Sequence, residues 1–340
     1  MNSGLDGRRL DDGMWAALLE RRATDPGAVA AAYAGRRRRV RLLADDGTLF
    51  LVAADHPARG ALGVGNDPLA MADRRDLLER LLLALDCPEV DGVLGTPDVV
   101  EELLLLPSAD GGCALDGKVV IGSMNRGGLA GASWEIDDRF TGYDAASIAS
   151  CGLDGGKMLL RIVDDDPRTA ATLKACADSV TELAARQLMA MIEPLAYARD
   201  DTGQLRMQRD TYSNVRAVGV AAGLGVTSAW TWLKLPALAE PEPVLAASTL
   251  PALVLGGEPA GDPAEDRASW QRALAGPTAR GLVVGRALLY PPDNDVRAAV
   301  EAAARVLRPE AQGSDLPRAE TQRLRESAAP GPGPCDRVVG

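Results

Sequence analysis

The sequence predicts an α/β fold, a single (β/α)8 barrel preceded by a short N-terminal helical extension. The first observation is that short apolar segments alternate with segments of helical periodicity between residues 47 and 309. The second is that these apolar segments are nearly continuous, as expected for strands that are covered on both faces. The third is their number, since eight strand–helix units over about 260 residues are the size of one such barrel.

Each predicted strand is a short run of mainly aliphatic residues that ends close to a glycine, a proline or a charged residue. The eight predicted strands, in chain order, are Thr48–Ala54, Gly92–Gly95, Lys118–Ser123, Gly156–Val163, Leu188–Glu193, Ser228–Leu235, Ala252–Leu255 and Gly281–Val284.

Helix-period segments fill the intervals, among them AMADRRDLLERLLLAL, DPRTAATLKACADSVTELAARQ and the final DNDVRAAVEAAARVLRP. Residues 1–46 carry two further short helical patterns, MWAALLERRA and DPGAVAAAYAG, and form the predicted extension. Residues 310–340 are rich in Pro, Gly, Ser and charge, a composition that predicts a disordered tail.

The alternative architecture is an open, doubly wound sheet. The segment GALGVGND has the clustered glycines of a nucleotide-binding turn, but it does not match GxGxxG and precedes polar sequence. The barrel is therefore the favoured fold.

Composition limits the classes of function. The net charge of -11 argues against nucleic acid or an anionic membrane as the main partner, and the run Arg36–Arg39 is interpreted as a solvated helix end. Five scattered cysteines without CxxC spacing, and no apolar signal core at the N-terminus, predict a cytoplasmic protein. Because His56 is the only histidine, we expect no catalytic metal site, and no GxSxG motif accompanies it.

The lysines are the most informative residues. Only four of the 37 basic residues are lysines, and arginine cannot replace a lysine as an amine nucleophile. Lys157 and Lys234 lie in apolar runs, where burial favours the neutral, nucleophilic amine. This pattern indicates Schiff-base chemistry. Lys118, at the opposite end of its strand, and Lys174, within a helix, are expected to be solvated.

Side chains at the carboxyl ends of barrel strands meet at one site. Asp55 follows the first predicted strand, Lys157 lies in the fourth, Glu193 ends the fifth and Lys234 lies in the sixth. Each could alone cap a helix or form a structural ion pair. Together they place two lysines and two carboxylates at one pocket, more charge than a fold buries without close pairing or a function.

A predicted anion site lies after the last two strands. Gly256 and Gly257 follow the seventh strand, and Gly285 and Arg286 follow the eighth. In this fold the loops after strands seven and eight commonly bind phosphate, because small residues let backbone N–H groups approach the anion. Arg286 would add a bidentate contact.

From about residue 50 to 290 the chain resembles the class I, Schiff-base aldolases of the tagatose-bisphosphate and sulfofructose-phosphate type, which are (β/α)8 barrels. The matching motifs are VAADH, the passage WEIDDRFTGYDAASIASCGLDGGKMLLRI, MAMIEPLAY, WTWLKLP and LVVGRALLY. The resemblance implies that Lys234 forms the iminium with a substrate ketone and that Glu193 is the proton shuttle. It implies that Asp55 and Lys157 assist carbinolamine formation, and that Gly285 and Arg286 hold a phosphate.

The chain departs from the family in two places. Gly256-Gly257-Glu258 stands where the family often has a small hydroxyl residue in the phosphate loop. Residues 1–46 and the tryptophans Trp230 and Trp232 have no counterpart in the resemblance.

The expected function is reversible carbon–carbon cleavage of a phosphorylated keto sugar, without metal or organic cofactor. Candidate substrates are a ketose (bis)phosphate and 2-deoxy-5-keto-gluconate 6-phosphate, which would link the protein to inositol breakdown. The alternatives are a deoxyribose-phosphate-type aldolase and a non-catalytic barrel that binds sugar phosphates. A homo-oligomer is expected, since barrels of this type often assemble through their outer helices.

Overall fold

The computed structural model of the protein describes residues 9–257 and 261–309 and shows a closed (β/α)8 barrel. Eight parallel strands form the barrel, and one short strand, β6, pairs antiparallel with the end of β5. The strands are β1 (Leu49–Ala53), β2 (Gly92–Gly95), β3 (Val119–Ser123), β4 (Gly155–Ile162), β5 (Met189–Arg199), β6 (Leu205–Met207), β7 (Thr231–Pro236), β8 (Ala252–Leu255) and β9 (Ala279–Val284).

The barrel closes because β1 pairs with both β2 and β9, while β5 pairs with β4 on one side and β7 on the other. The predicted barrel is confirmed, and the open sheet is not the architecture. The largest error in a predicted boundary is at β5, which does not end at Glu193 but continues to Arg199. β4 and β5 pair as far as Ile162 and Ala196, so these two strands extend beyond the others and form a raised wall at the carboxyl-terminal end of the barrel.

Helices surround the barrel and connect its strands. Most begin at an Asp that accepts a hydrogen bond from the first turn, as in Asp73, Asp210 and Asp295. The helices are α1 (Asp12–Thr24), α2 (Gly27–Gly35), α3 (Arg74–Leu85), α4 (Pro97–Leu105), α5 (Ala145–Ser150), α6 (Arg168–Ala184), α7 (Thr211–Ala222), α8 (Pro241–Ala246), α9 (Pro263–Leu274), α10 (Arg286–Leu289) and α11 (Val296–Leu307).

The alternation of side chains along each strand divides its apolar residues between the barrel interior and the layer of surrounding helices. In β1, Phe50 and Val52 belong to the large cluster that includes the surrounding helices. Leu49, Leu51 and Ala53 belong to the smaller cluster, which fills the barrel interior. The packed interior leaves the carboxyl ends of the strands as the place for a site.

Residues before β1 close the amino-terminal end of the barrel. Arg36 is buried and donates hydrogen bonds to the carbonyl oxygens of Lys118 and Gly152 at 2.9 and 2.6 Å. The prediction that this arginine is solvated was wrong. At the same end, Arg308 forms an ion pair with Asp91 at 2.6 Å, which joins the end of α11 to the start of the barrel.

The other predictions outside the barrel have mixed outcomes. Lys118 donates to the carbonyl oxygen of Val90 at 2.7 Å and is half-buried, so it is not simply solvated, whereas Lys174 is exposed as predicted. The extension contains α1 and α2, but its boundary at residue 46 and the barrel's end at 309 stay predictions. The tail 310–340 and Glu258 lie outside the described residues.

Gly92 allows β2 and β3 to approach each other. A Cβ atom at this position would lie 1.9 Å from the carbonyl oxygen of Val119. We therefore expect Gly92→Ala to lower the free energy of unfolding by about 3 kcal/mol, measured by denaturant titration. Gly219→Ala is the matched control, since Gly219 lies in α7 with nothing within 4 Å of the added atom and should gain about 0.5–1 kcal/mol. Equal stability of the two variants would contradict this prediction.

Candidate active site

Four predicted residues meet at the carboxyl-terminal end of the barrel. Asp55 lies two residues past the end of β1, Lys157 lies within β4, Glu193 lies within β5 and Lys234 lies within β7. The register explains their meeting: Leu159 of β4 pairs with Glu193, so Lys157 lies two residues below it on the adjacent strand and on the same face.

The side chains form a continuous chain of contacts. The Lys234 ammonium nitrogen, Nζ, lies 2.9 Å from Glu193 Oε1, and Lys157 Nζ lies 2.5 Å from Glu193 Oε2. Lys157 Nζ also lies 3.2 Å from Asp55 Oδ2. Glu193 therefore bridges the two amines with its two carboxylate oxygens, and Lys157 lies between the two acids.

All four groups are removed from water. Asp55 and Lys157 are 0% exposed, Lys234 is 4% exposed and Glu193 is 8% exposed. A buried charge is costly unless it is paired, and here each lysine contacts a carboxylate. The residual exposure of Lys234 and Glu193 distinguishes them from the other two, because only these two line the cavity described below.

Burial also sets the protonation equilibria. Burial is the main cause that lowers the pKa of Lys157 well below its usual value, and the Arg126 charge lowers it further. Burial likewise lowers the pKa of Lys234, against the opposing effect of Glu193. Burial alone would raise the pKa of Glu193, but Lys157 and Lys234 outweigh it and hold that pKa well below its usual value. Both amines are thus closer to their nucleophilic form than an exposed lysine.

Sequence reasoning missed two further members of this cluster. Arg126 is buried and contacts Asp55 Oδ2, and the Ser123 hydroxyl donates to the same oxygen at 3.1 Å. Burial lowers the pKa of the Arg126 guanidinium to about 10. Both residues lie at or just after the end of β3, so their place in the predicted barrel was the signal that could have found them.

A cavity of about 490 Å³ opens above Lys234 and Glu193. Leu159, Arg161 and Tyr197 of the raised β4–β5 wall form one side. The Arg161 guanidinium is neutralised by Asp138 at 2.7 Å and by Glu135 at 3.0 Å, and burial raises the pKa of the Tyr197 hydroxyl. The other side is formed by the loops after β8 and β9.

The predicted anion-binding residues Gly256, Gly257, Gly285 and Arg286 all line this cavity. At Gly285 an added Cβ would lie 2.5 Å from the carbonyl oxygen of Ala53, so only glycine fits. Gly257 has a φ of 69°, a conformation that favours glycine. Arg286 Nη1 donates to the carbonyl oxygen of Gly63 at 3.3 Å. The structure brings the four residues together, and their role in binding phosphate stays a prediction.

Within residues 9–257 and 261–309, no three His, Cys, Asp or Glu residues are grouped so that they could hold a metal ion. In the same part of the chain, no helix has the length and apolar character needed to cross a bilayer.

Comparison with known proteins identifies the family of this chain. A family model described as Cgl0159-like matches residues 47–304. The crystal structure of Cgl0159 from Corynebacterium glutamicum is 49% identical, with a TM-score of 0.84 over 88% of this chain and 99% of that one. No curated protein matches the sequence.

More distant matches include fructose-bisphosphate aldolases. An archaeal fructose-1,6-bisphosphate aldolase, with its catalytic Lys covalently bound to the carbinolamine intermediate, is 16% identical. Its TM-score is 0.59 over 82% of this chain and 99% of that one. The enzyme from Slackia heliotrinireducens is 15% identical, with a TM-score of 0.55 over 92% and 98%. At such identities the likeness establishes the shared barrel fold alone.

Proposed function

This chain belongs to the Cgl0159-like family, and we propose that it is a metal-independent class I aldolase that cleaves a phosphorylated keto sugar. The observation that carries the proposal is the buried Lys234–Glu193–Lys157 arrangement, in which one carboxylate bridges two amines at 2.9 and 2.5 Å. A structural ion pair with Glu193 would need only one lysine. An amine nucleophile needs beside it a group that can accept and donate protons, and Glu193 lies in that position.

Lys234 is the proposed nucleophile because it lines the cavity while Lys157 lies beneath it. Its neutral amine attacks the substrate ketone and gives a carbinolamine. Burial favours this neutral form, since it lowers the pKa of the Lys234 amine. Loss of water then gives a protonated iminium.

Glu193 is the proposed proton carrier at the carbinolamine. Its Oε1 lies 2.9 Å from Lys234 Nζ, within reach of a proton on the nitrogen and, later, on the departing oxygen. When the substrate carbon–carbon bond breaks, Glu193 accepts the proton of the hydroxyl on the departing carbon, which leaves as an aldehyde. The electron pair of the broken bond flows into the iminium and forms an enamine. Protonation of the enamine carbon and hydrolysis release the ketone product and restore Lys234. No metal is required, because the iminium itself accepts the electrons.

Lys157 and Asp55 are proposed to position Glu193. Lys157 contacts both acids, at 2.5 Å for Glu193 and 3.2 Å for Asp55, so it fixes the glutamate beside Lys234. The charges of Arg126 and Arg286 add to burial in lowering the pKa of the Lys234 amine, which supports the neutral state of the nucleophile.

The proposed substrate carries a phosphate at the end held by Gly256, Gly257, Gly285 and Arg286. Two exposed arginines, Arg209 and Arg272, also line the cavity. An anionic group at the far end of the sugar would complement them. Both 2-deoxy-5-keto-gluconate 6-phosphate and a ketose bisphosphate have such a group, and the distant structural matches are named for a bisphosphate substrate.

Borohydride trapping tests the proposal. The protein is incubated with a panel of keto-sugar phosphates, dihydroxyacetone phosphate and 2-deoxyribose 5-phosphate, reduced with borohydride, and analysed by peptide mass spectrometry. We expect a reduced adduct on Lys234 with a keto-sugar phosphate, and aldehyde release in the unreduced reaction.

The other outcomes separate the alternatives. Trapping and turnover with 2-deoxyribose 5-phosphate alone would identify a deoxyribose-phosphate-type aldolase. Tight binding of sugar phosphates without any mass adduct would support a non-catalytic binding barrel and contradict the enzyme.

A further inference from the structure

His56, the single histidine of the chain, lies at the boundary between the amine cluster and the anion-binding loops. It directly follows Asp55 and lines the same cavity as Gly285 and Arg286. Its ring packs against the β9 loop, since a Cβ on Gly285 would lie 3.0 Å from His56 Cε1. The imidazole is therefore adjacent to the loop that would hold the substrate phosphate.

Two polar atoms at this boundary are buried without a hydrogen-bond partner. They are His56 Nδ1 and Asp55 Oδ1, and they lie 3.9 Å apart, too far for a hydrogen bond. The other oxygen of Asp55, Oδ2, is occupied by Ser123, Lys157 and Arg126. Buried polar atoms without partners are uncommon in folded proteins and point to a state in which they are satisfied.

The protonation state of the ring decides how many acceptors it can serve. A neutral imidazole has one N–H, whereas an imidazolium has two. The second N–H lets the ring donate to Asp55 Oδ1 through Nδ1 and to an anion in the cavity through Nε2 at the same time. After a small movement an N–H at Nδ1 satisfies both buried atoms, and protonation adds the Nε2–H donor that an anion needs.

In the free protein the surroundings oppose that proton. Burial is the main cause that lowers the pKa of His56 well below its usual value, followed by the charge of Arg286 and then that of Lys234. Lys157 acts in the same direction, and Glu193 opposes it. Asp55, the carboxylate directly before His56, already contacts Lys157 and Arg126 through Oδ2, and the nearby Arg59 and Arg126 also line the cavity. The ring is therefore neutral at pH 7.

We propose that His56 completes the anion site and takes up a proton when a phosphoryl group binds beside Gly285 and Arg286. This inference rests on the proposed assignment of these residues to the substrate phosphate. A dianion beside Arg286 offsets the positive charge that disfavours the imidazolium, and it supplies an acceptor for Nε2–H. Binding of the anion and binding of the proton therefore strengthen each other.

The sign of the pH dependence follows from this linkage. The pKa of His56 is higher in the anion-bound state than in the free state. Anion affinity consequently rises as pH falls through the bound-state pKa, and it levels off below the free-state pKa. Between those limits the affinity changes by up to about tenfold per pH unit.

Sulfate is the probe, because it remains a dianion across the whole pH range and adds no titration of its own. Calorimetry in two buffers of different ionisation enthalpy gives the number of protons taken up per sulfate, up to one for the full-length protein without a histidine tag. Since the chain has one histidine, selective ¹³C labelling of its ring gives a single Cε1 signal that should move toward the imidazolium position when sulfate is added.

His56→Gln is the matched variant, since glutamine keeps an N–H donor but does not titrate. We expect sulfate affinity in this variant to be independent of pH between 6 and 8, with no proton uptake. Sulfate that does not bind to the wild-type protein, or that binds without proton uptake, would overturn the proposal. Unchanged pH dependence in His56→Gln would also overturn it.

The experiment separates this inference from the proposed aldolase activity. A Lys234 adduct in the wild-type protein together with a sulfate-insensitive His56 signal would remove the inference alone. Sulfate-linked protonation of His56 without any Lys234 adduct would remove the aldolase and keep the anion site.

Discussion

Lys234→Arg is expected to lower turnover by about 10⁴-fold or more, the scale of loss seen when a catalytic nucleophile is removed. Arginine keeps a positive charge that can contact Glu193, which lies 2.9 Å from the present amine, so the buried ion pair is retained. It cannot form an iminium, because its guanidinium stays protonated. Turnover by steady-state assay and adduct formation by borohydride trapping should both be lost.

Lys174→Arg is the matched control for this substitution. Lys174 is exposed on α6, where its ammonium forms an ion pair with Asp178 at 2.6 Å. The control should retain wild-type turnover and the Lys234 adduct. Measurable turnover at the wild-type rate in a folded Lys234→Arg protein would refute the nucleophile assignment.

Glu193→Gln is expected to produce the second large effect, a loss of about 10²–10⁴-fold in turnover, which is typical when a general acid–base group is removed. The adduct on Lys234 should form more slowly, because the carbinolamine loses its proton carrier. The control is Glu182→Gln, at an exposed position of α6, and it should have wild-type rates.

The same substitution should cost stability, since it removes the buried carboxylate that both Lys157 and Lys234 contact. We expect a loss of about 3 kcal/mol at pH 7, limited by deprotonation of one lysine. The pKa of Glu193 is held well below its usual value in the fold. The contribution of Glu193 to the free energy of unfolding is therefore fully present above the pKa of an unfolded glutamate, about 4.3. It is lost as the pH falls through the lower pKa of Glu193 in the folded protein.

Denaturant titrations from pH 7 to pH 3 check this sign. The stability difference between wild type and Glu193→Gln should narrow as the pH falls. A difference that widens toward low pH would mean that Glu193 is protonated in the native protein at neutral pH, against the ion pairs with both lysines.

The sequence pattern was sufficient to predict the barrel and the position of Lys157 and Lys234 within its strands, because both depend on short runs of neighbouring residues. Parallel strands covered on both faces are nearly continuous apolar runs, and a lysine inside such a run must be buried with its strand. The end of β5 could not be predicted in this way. Pro194 follows Glu193 directly and lacks an N–H donor, so it suggests the end of a strand, yet pairing with β4 continues to Ala196.

Arg126 and Ser123 illustrate what a residue-by-residue reading misses. In a chain in which 33 of 37 basic residues are arginines, one more arginine after a strand carries no signal. What makes Arg126 distinctive is its contact with Asp55, which depends on how the irregular segment after β3 returns to β1. Such loop geometry is set by tertiary packing, which periodicity does not encode.

The arginine contacts at the amino-terminal end of the barrel have a consequence for biosynthesis. Arg36 hydrogen-bonds to carbonyl groups 82 and 116 residues further along the chain, and Arg308 forms its ion pair with a residue 217 positions earlier. During translation the segment around Arg36 must wait for β3 and the start of β4 to leave the ribosome. The Arg308 ion pair can form only after α11 is synthesised, so a nascent chain stopped before that helix would contain all the strands of the barrel but lack this contact with Asp91.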